Sequence, residues 1–334
     1  MKFHLSYVRN VDFASLIENF LFTSVATVLG IRIFLALTGY PQLGGGNGLH
    51  IAHMLWGGLL MLIAIVLFLA YLNKSSLVWG SILGGVGFGF FIDELGKFLT
   101  SDNNYFFKPT FALMYGIFLA IYLISKVIEK RVAMSHKEYM ANALDMLKQA
   151  YISDFNKKDK EDLLHILEKT DKNDPFYSLI KDYVNNYKPV EAKDNIIERI
   201  RIFFFTKYTN IIKKPKVQAV LISVFVFESI LGLISSFIVL GAGNKELIYN
   251  IIFAIISGFL VLFGLYFYIK KNRLNAFEFF KYSLLVTIFF SDFILFYQNQ
   301  LSAIISFLVD LALYLIIRYL IEQEITLKKA HSKT

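Results

Sequence analysis

Apolar residues fall along this chain in long blocks, and eight stand out, at about 12–38, 49–72, 76–99, 109–129, 216–241, 246–270, 274–298 and 300–322. Each has roughly the 20 residues that a helix rising about 1.5 Å per residue needs to cross a bilayer core. The pattern predicts an all-α polytopic membrane protein with about eight transmembrane helices. Between the fourth and fifth blocks the composition changes abruptly. Residues 130–215 are rich in Lys, Asp, Glu, Asn and Tyr, with apolar positions at helical spacing in EYMANALDMLKQAYI and KEDLLHILEKT. Ser135 is the expected N-cap of the first of these helices, and Asp174–Pro175 the opening of another. The stretch NIIERIRIFFFTKY reads as an amphipathic helix lying on the headgroups. Three parts are therefore expected: a first membrane half over 1–129, a helical insert over 130–215 and a second membrane half over 216–325. The insert carries no catalytic motif and is expected to bury little core of its own, which points to oligomerisation or the docking of a protein partner.

The two membrane halves have similar patterns. ASLIENFLFTSVATVLGIRIFLALTG matches AVLISVFVFESILGLISSFIVLGAG in length and pattern, and FFIDELGKFL pairs with FFSDFILFYQ, aligning Asp93 with Asp292. Four spans per half predict two parallel four-helix repeats about an axis along the membrane normal. Chance similarity between apolar segments is the alternative.

Charge sets the orientation. Lys2 and Arg9, Lys74, Lys126 with Lys130 and Arg131, Lys213 with Lys214 and Lys216, Lys270 with Lys271 and Arg273, and Lys328 with Lys329 and Lys333 all fall on one side of the alternating spans. The chain is thus expected to be multi-pass in the cell membrane, with both termini and the insert cytoplasmic. The net charge of +8 then signals topology and contact with anionic membrane lipids, not nucleic-acid binding. The opening Met1–Asn10 leads into a span too long for a signal-peptide core and is expected to be retained. The chain has no cysteine, which excludes disulfides, thiolate metal sites and cysteine nucleophiles.

Candidate chemistry gathers at the outer face of the first half. In GYPQLGGGNGLHIAHMLWGG, His50 and His53 share one helical face, and neutral imidazoles at this spacing suit zinc, iron, copper or nickel. The third span returns to the same layer and brings Asp93, Glu94 and Lys97 with it. Gly85, Gly89, Asp93 and Gly96 lie on one stripe of that helix, so Asp93 is expected to face protein. His50, His53 and Asp93 are thus the candidate metal ligands for zinc or iron, with Glu94 or Asp93 as the catalytic carboxylate. Arg32, Lys97, Asp102, Asn103 and Tyr105 would hold an anionic substrate such as a lipid phosphate. A zinc-bound water activated by the second carboxylate would give hydrolysis. Two other arrangements fit the same residues. One is an ion-pair network in which Lys97 bridges one acid and Arg32 the other; the second is a proton or substrate relay. Glu228, Asp292 and Asp310 in the second half would line the proton pathway of a transporter or channel. A non-catalytic scaffold subunit docking its partner through the insert is a further alternative.

The blocks TGYPQLGGGNGLHIAHMLWGGLL and GGVGFGFFIDELGKFLTSDNNYFFKP, with FYQNQ in the seventh span, resemble an uncharacterised family of polytopic integral membrane proteins of bacteria and archaea. The resemblance covers most of the membrane portion and not the insert. It implies a shared fold and supplies no role for His50, His53, Asp93, Glu94 or Lys97.

Overall fold

The computed structural model describes residues 7–39, 52–102, 104–105, 107, 109–130, 134–152, 155–187, 206–207, 210, 214–241 and 248–331. Among them there is no β-strand. Among the described residues, seven helical stretches are long and apolar enough to cross a membrane: Phe13–Thr38, His53–Ala70, Lys74–Asp93, Pro109–Glu129, Ile251–Ile269, Arg273–Asn299 and Ile304–Ile325. The remaining expected span falls on the helix Pro215–Gly241, of which Ile222–Ile234 is a shorter apolar stretch. Large apolar side chains such as Phe22, Leu69 and Ile269 stand fully outward. Such a surface suits lipid and not water.

The chain divides into two compact units, 1–107 with 118–194 and 108–117 with 195–334. The first unit contains α1 (Phe13–Thr38), α2 (His53–Ala70), α3 (Lys74–Asp93), the short α4 (Leu95–Leu99) and the later turns of α5 (Pro109–Lys130). It also contains the insert helices α6 (His136–Ile152), α7 (Lys157–Leu167) and α8 (Pro175–Asn186). In this unit α3 packs against both α1 and α2, and its glycines allow the approach. A Cβ on Gly87 would lie 2.6 Å from the Gly57 carbonyl oxygen of α2, and one on Gly89 would lie 2.6 Å from the Ser24 carbonyl oxygen of α1. Backbones this close leave room only for hydrogen. The Ser24 hydroxyl donates across the α1–α3 seam to the Gly85 carbonyl at 2.9 Å.

The insert builds more core than its composition suggests. Met140, Ala143, Leu163, Leu167, Ile180 and Val184 are all buried together between α6, α7 and α8. Its helix starts follow local chemistry. The Ser135 amide donates to Glu138 at 2.9 Å while the Glu138 amide donates to the Ser135 hydroxyl at 3.2 Å, a reciprocal cap. The Ser135 amide holds the Glu138 carboxyl below its ordinary value of 4.5; burial opposes it, and the Arg9 amide and the Ser135 hydroxyl add to the lowering. Asp174 caps α8 by accepting from the Phe176 amide at 2.9 Å, with Pro175 in the first turn. The stretch expected to form the interfacial helix lies almost wholly outside the described residues.

Two carboxamides on α6 tie the insert to the membrane helices of its unit. Asn142 accepts from the Val11 amide at 2.8 Å and donates to the Arg9 carbonyl at 2.8 Å. Gln149, two helical turns on and so on the same face, accepts from the Lys74 amide at 2.8 Å and donates to the Leu72 carbonyl at 3.0 Å. Each side chain thereby pairs with the backbone of residues i and i+2, as a neighbouring strand would. The segments held are the lead-in to α1 and the turn between α2 and α3. Arg9 adds an ion pair to Glu138 at 3.4 Å.

The second unit contains the first turns of α5 together with α9 (Pro215–Gly241), α10 (Ile248–Ile269), α11 (Arg273–Val286), α12 (Asp292–Asn299) and α13 (Ile304–His331). A π-helical turn, Thr287–Ser291, joins α11 to α12. Phe277, Phe280, Leu284, Leu313 and Ile317 centre its apolar core. The π turn shifts the backbone ladder to i→i+5, which loosens the normal pairing of nearby carbonyls. Tyr115 meets that disturbance: its hydroxyl donates to the Ile288 carbonyl, and its ring stacks on Phe296 with centroids 5.0 Å apart.

Candidate functional site

The polar cluster of the first unit forms where α2 begins and α3 ends. The α1–α3 seam delivers it: the stripe of Gly85 and Gly89 continues one turn on to Asp93, which meets Arg32 of α1 instead of a backbone. Arg32 donates through Nε to Asp93 Oδ1 at 2.5 Å and through Nη2 to the Asp93 carbonyl at 3.1 Å. That carbonyl belongs to the last turn of α3, whose unpaired acceptors carry the negative end of the helix dipole. The guanidinium also lies 4.1 Å from the Tyr105 ring centroid. The Tyr105 hydroxyl donates to Asp93 Oδ2 at 2.5 Å.

His53 opens α2 and stands between two acids. Its Nε2 is 3.0 Å from Asp93 Oδ2 and its Nδ1 is 3.1 Å from Glu94 Oε1. Consecutive residues of an unbroken helix point about 100° apart and would not flank one ring. Here α3 stops at Asp93, and Glu94 takes φ −87° and ψ 6° before α4 begins. The break turns the second carboxylate back onto the imidazole. Lys97 Nζ then donates to Glu94 Oε1 at 2.8 Å. Asp93 and Glu94 are both 0% exposed, and Arg32 only 4%. Glu94 Oε2 is buried with no hydrogen-bond partner among the described residues.

Of the residues singled out by sequence, the structure thus brings together Arg32, His53, Asp93, Glu94, Lys97 and Tyr105. The pairing is the ion-pair arrangement, Lys97 on Glu94 and Arg32 on Asp93. Asp102 is exposed and makes no bond to the cluster. His50 and Asn103 lie outside the described residues. Among the described residues, no three His, Asp or Glu side chains are grouped to hold a metal ion. Both His53 nitrogens face carboxylates, so neither is directed elsewhere. A neutral imidazole donates one hydrogen bond, and only the protonated ring can donate to both acids.

In the second unit Asp292 is 2% exposed, with Oδ2 lacking a hydrogen-bond partner among the described residues. Asp310 is the electrostatic neighbour of Glu228 and of Asp292. Sequence reasoning did not reach the hydroxyls beside these acids. Ser257 Oγ lies 2.7 Å from Ser283 Oγ and 3.2 Å from Thr287 Oγ1, a polar ladder between α10 and the start of the π turn. Serines in an apolar span look like packing residues, and only helix contacts bring them together.

Fold and site together define an all-α polytopic membrane protein that carries buried ionisable groups within its spans. No known family, curated protein or solved structure matches the chain.

Proposed function

We propose that the chain is a proton-coupled membrane transporter in which Asp93, His53 and Glu94 form the protonation switch. The observation that carries this reading is the His53 ring, held at hydrogen-bond distance from two fully buried carboxylates at once. Arg32 and Lys97 already face carboxylates, which argues against an anionic substrate as the natural occupant. Among the described residues of the cluster, the buried side-chain atom without a partner is an acceptor, Glu94 Oε2, so what the cluster can still take is a proton or another donor. With the proton on His53, the ring bonds both acids and ties the start of α2 to the end of α3. When the proton leaves, a ring lone pair faces carboxylate oxygen, and the ring must release one acid. Two arrangements of one helix junction, selected by a proton, are what coupled transport requires. The charge pattern orients this junction toward the outside and the insert toward the cytoplasm.

The test is proton flux into proteoliposomes containing a trapped pH-sensitive dye, driven by a potassium diffusion potential. Wild-type protein is expected to carry protons, and His53→Gln to fall to the leak of empty liposomes. Equal flux in both overturns the reading. A metal-dependent lipid hydrolase remains the second reading, favoured by the open Glu94 oxygen beside His53 and by His50 one turn earlier in sequence. Zinc and iron content of the same two preparations tests it: metal in the wild type that the variant loses would favour the hydrolase.

A further inference from the structure

The second unit has a half-open cleft of about 320 Å³ between its helices, lined by polar and apolar groups alike. Glu228 and Ser229 reach it from α9, Thr287 and Ser291 from the π turn, and Ser306 and Asp310 from α13. Among the described residues, no Lys, Arg or His lines it. At about 30 Å³ per water the space holds on the order of ten, enough for one ion with part of its hydration shell.

Three features define the occupant. First, an ionised acid within a span costs about 2.5–3.5 kcal/mol. Two acids face this cavity and a third, Asp292, lies within electrostatic reach of Asp310, yet no basic side chain among the described residues lines the space. A bound cation would supply the missing positive charge. Second, the remaining polar groups are hydroxyls, so the lining offers hard oxygen donors and no imidazole or sulfur. Such a set selects alkali or alkaline-earth cations over zinc, copper or iron. Third, the two hydroxyls from the π turn, Thr287 and Ser291, sit on a backbone whose normal helical pairing is broken. Asp292, directly after it, keeps a buried carboxylate oxygen with no hydrogen-bond partner among the described residues.

We propose that this cavity binds a hard cation, with Glu228 and Asp310 as its charged ligands and the surrounding hydroxyls completing the shell. Sodium is the probe. The inference rests on the transporter reading and extends it: the cation is the coupled species, bound in the second unit, while the proton is handled at His53 in the first.

The experiment uses the full chain in lipid nanodiscs and follows thermal unfolding against added NaCl, with choline chloride holding ionic strength constant. LiCl, KCl and CaCl2 form parallel arms. The expected result is a rise in unfolding temperature that saturates with one of these cations, is absent with choline, and disappears in Glu228→Gln/Asp310→Asn. Ser306→Ala, which keeps both acids, should shift the midpoint to several-fold higher cation. If none of the four cations stabilises the wild type beyond choline, the proposal is overturned. It is equally overturned if the acid variant, folded as judged by its own melting transition, responds as the wild type does. His53→Gln separates the two ideas. Saturable stabilisation retained in that variant, with no proton flux in the wild type, removes the relay reading alone; proton flux without cation stabilisation removes the cavity site alone.

Discussion

Arg32 and Asp93 show how much of the first site rests on a single pair. The guanidinium meets a carboxylate, a helix-end carbonyl and an aromatic face, with both charged partners buried. Removing one partner of a buried pair leaves an uncompensated charge and costs about 3–5 kcal/mol. Arg32→Met should lower stability by that order in a chemical or thermal melt in detergent. Arg32→Met/Asp93→Asn should recover a large part of the loss, since no bare charge remains. The residue types of this cluster and their common depth were legible in the sequence, because ionisable groups in apolar blocks are conspicuous. Which base takes which acid was not, since it depends on the break in α3 at Glu94. That break is a matter of two dihedral angles in the run IDELGKF, and composition does not record it. Asp102 looked like a member of the cluster by position alone and faces outward instead.

The helix seams set what each element tolerates. Gly57 of α2 faces Gly87 of α3, and a Cβ there would lie 2.6 Å from the Gly87 carbonyl and 2.9 Å from the Phe91 amide nitrogen. Gly58, the next residue, has nothing within 4 Å of its Cβ position. Gly57→Ala should therefore cost about 1–3 kcal/mol, the range for overpacking a tight contact. It should also weaken His53-dependent flux, because α2 and α3 carry the two sides of the proposed switch. Gly58→Ala should leave the melting temperature and flux near wild type, and comparing the pair separates a seam effect from a general loss of glycine. The Gly85–Gly89–Asp93 stripe was readable from spacing, and so were the caps at Ser135 and Asp174. The π turn at Thr287–Ser291 was not, because TIFFS continues the apolar run around it without a glycine or proline. Its consequences, the Tyr115 bond and the aligned hydroxyls, were hidden with it.

At the scale of the whole molecule, block length and hydropathy made the membrane class legible and the insert visible as a break in composition. Two things escaped. The insert has a buried core of its own, since its apolar positions converge only when α6, α7 and α8 fold over one another. Its attachment rests on Asn142 and Gln149, polar residues at a spacing that a sequence reading assigns to a solvated face. Replacing both with alanine removes two donor and two acceptor bonds to the backbone of those two segments, at about 1 kcal/mol each. Amide exchange at Val11 and Lys74 should accelerate in Asn142→Ala/Gln149→Ala, while exchange in the middle of α2 and α3 stays slow. No change at those two amides would show that the clamp does not hold the segments in solution. The same clamp has a practical use for imaging. A protein whose mass lies mostly in featureless lipid or detergent gives projections that are hard to align, and here a folded lobe is fastened by side chains at two points to the helices that carry the buried charge cluster. An antibody fragment bound to α7 or α8 would act as a fiducial for that lobe, and its fixed orientation would allow particle images to be sorted by the arrangement of the helices it is fastened to.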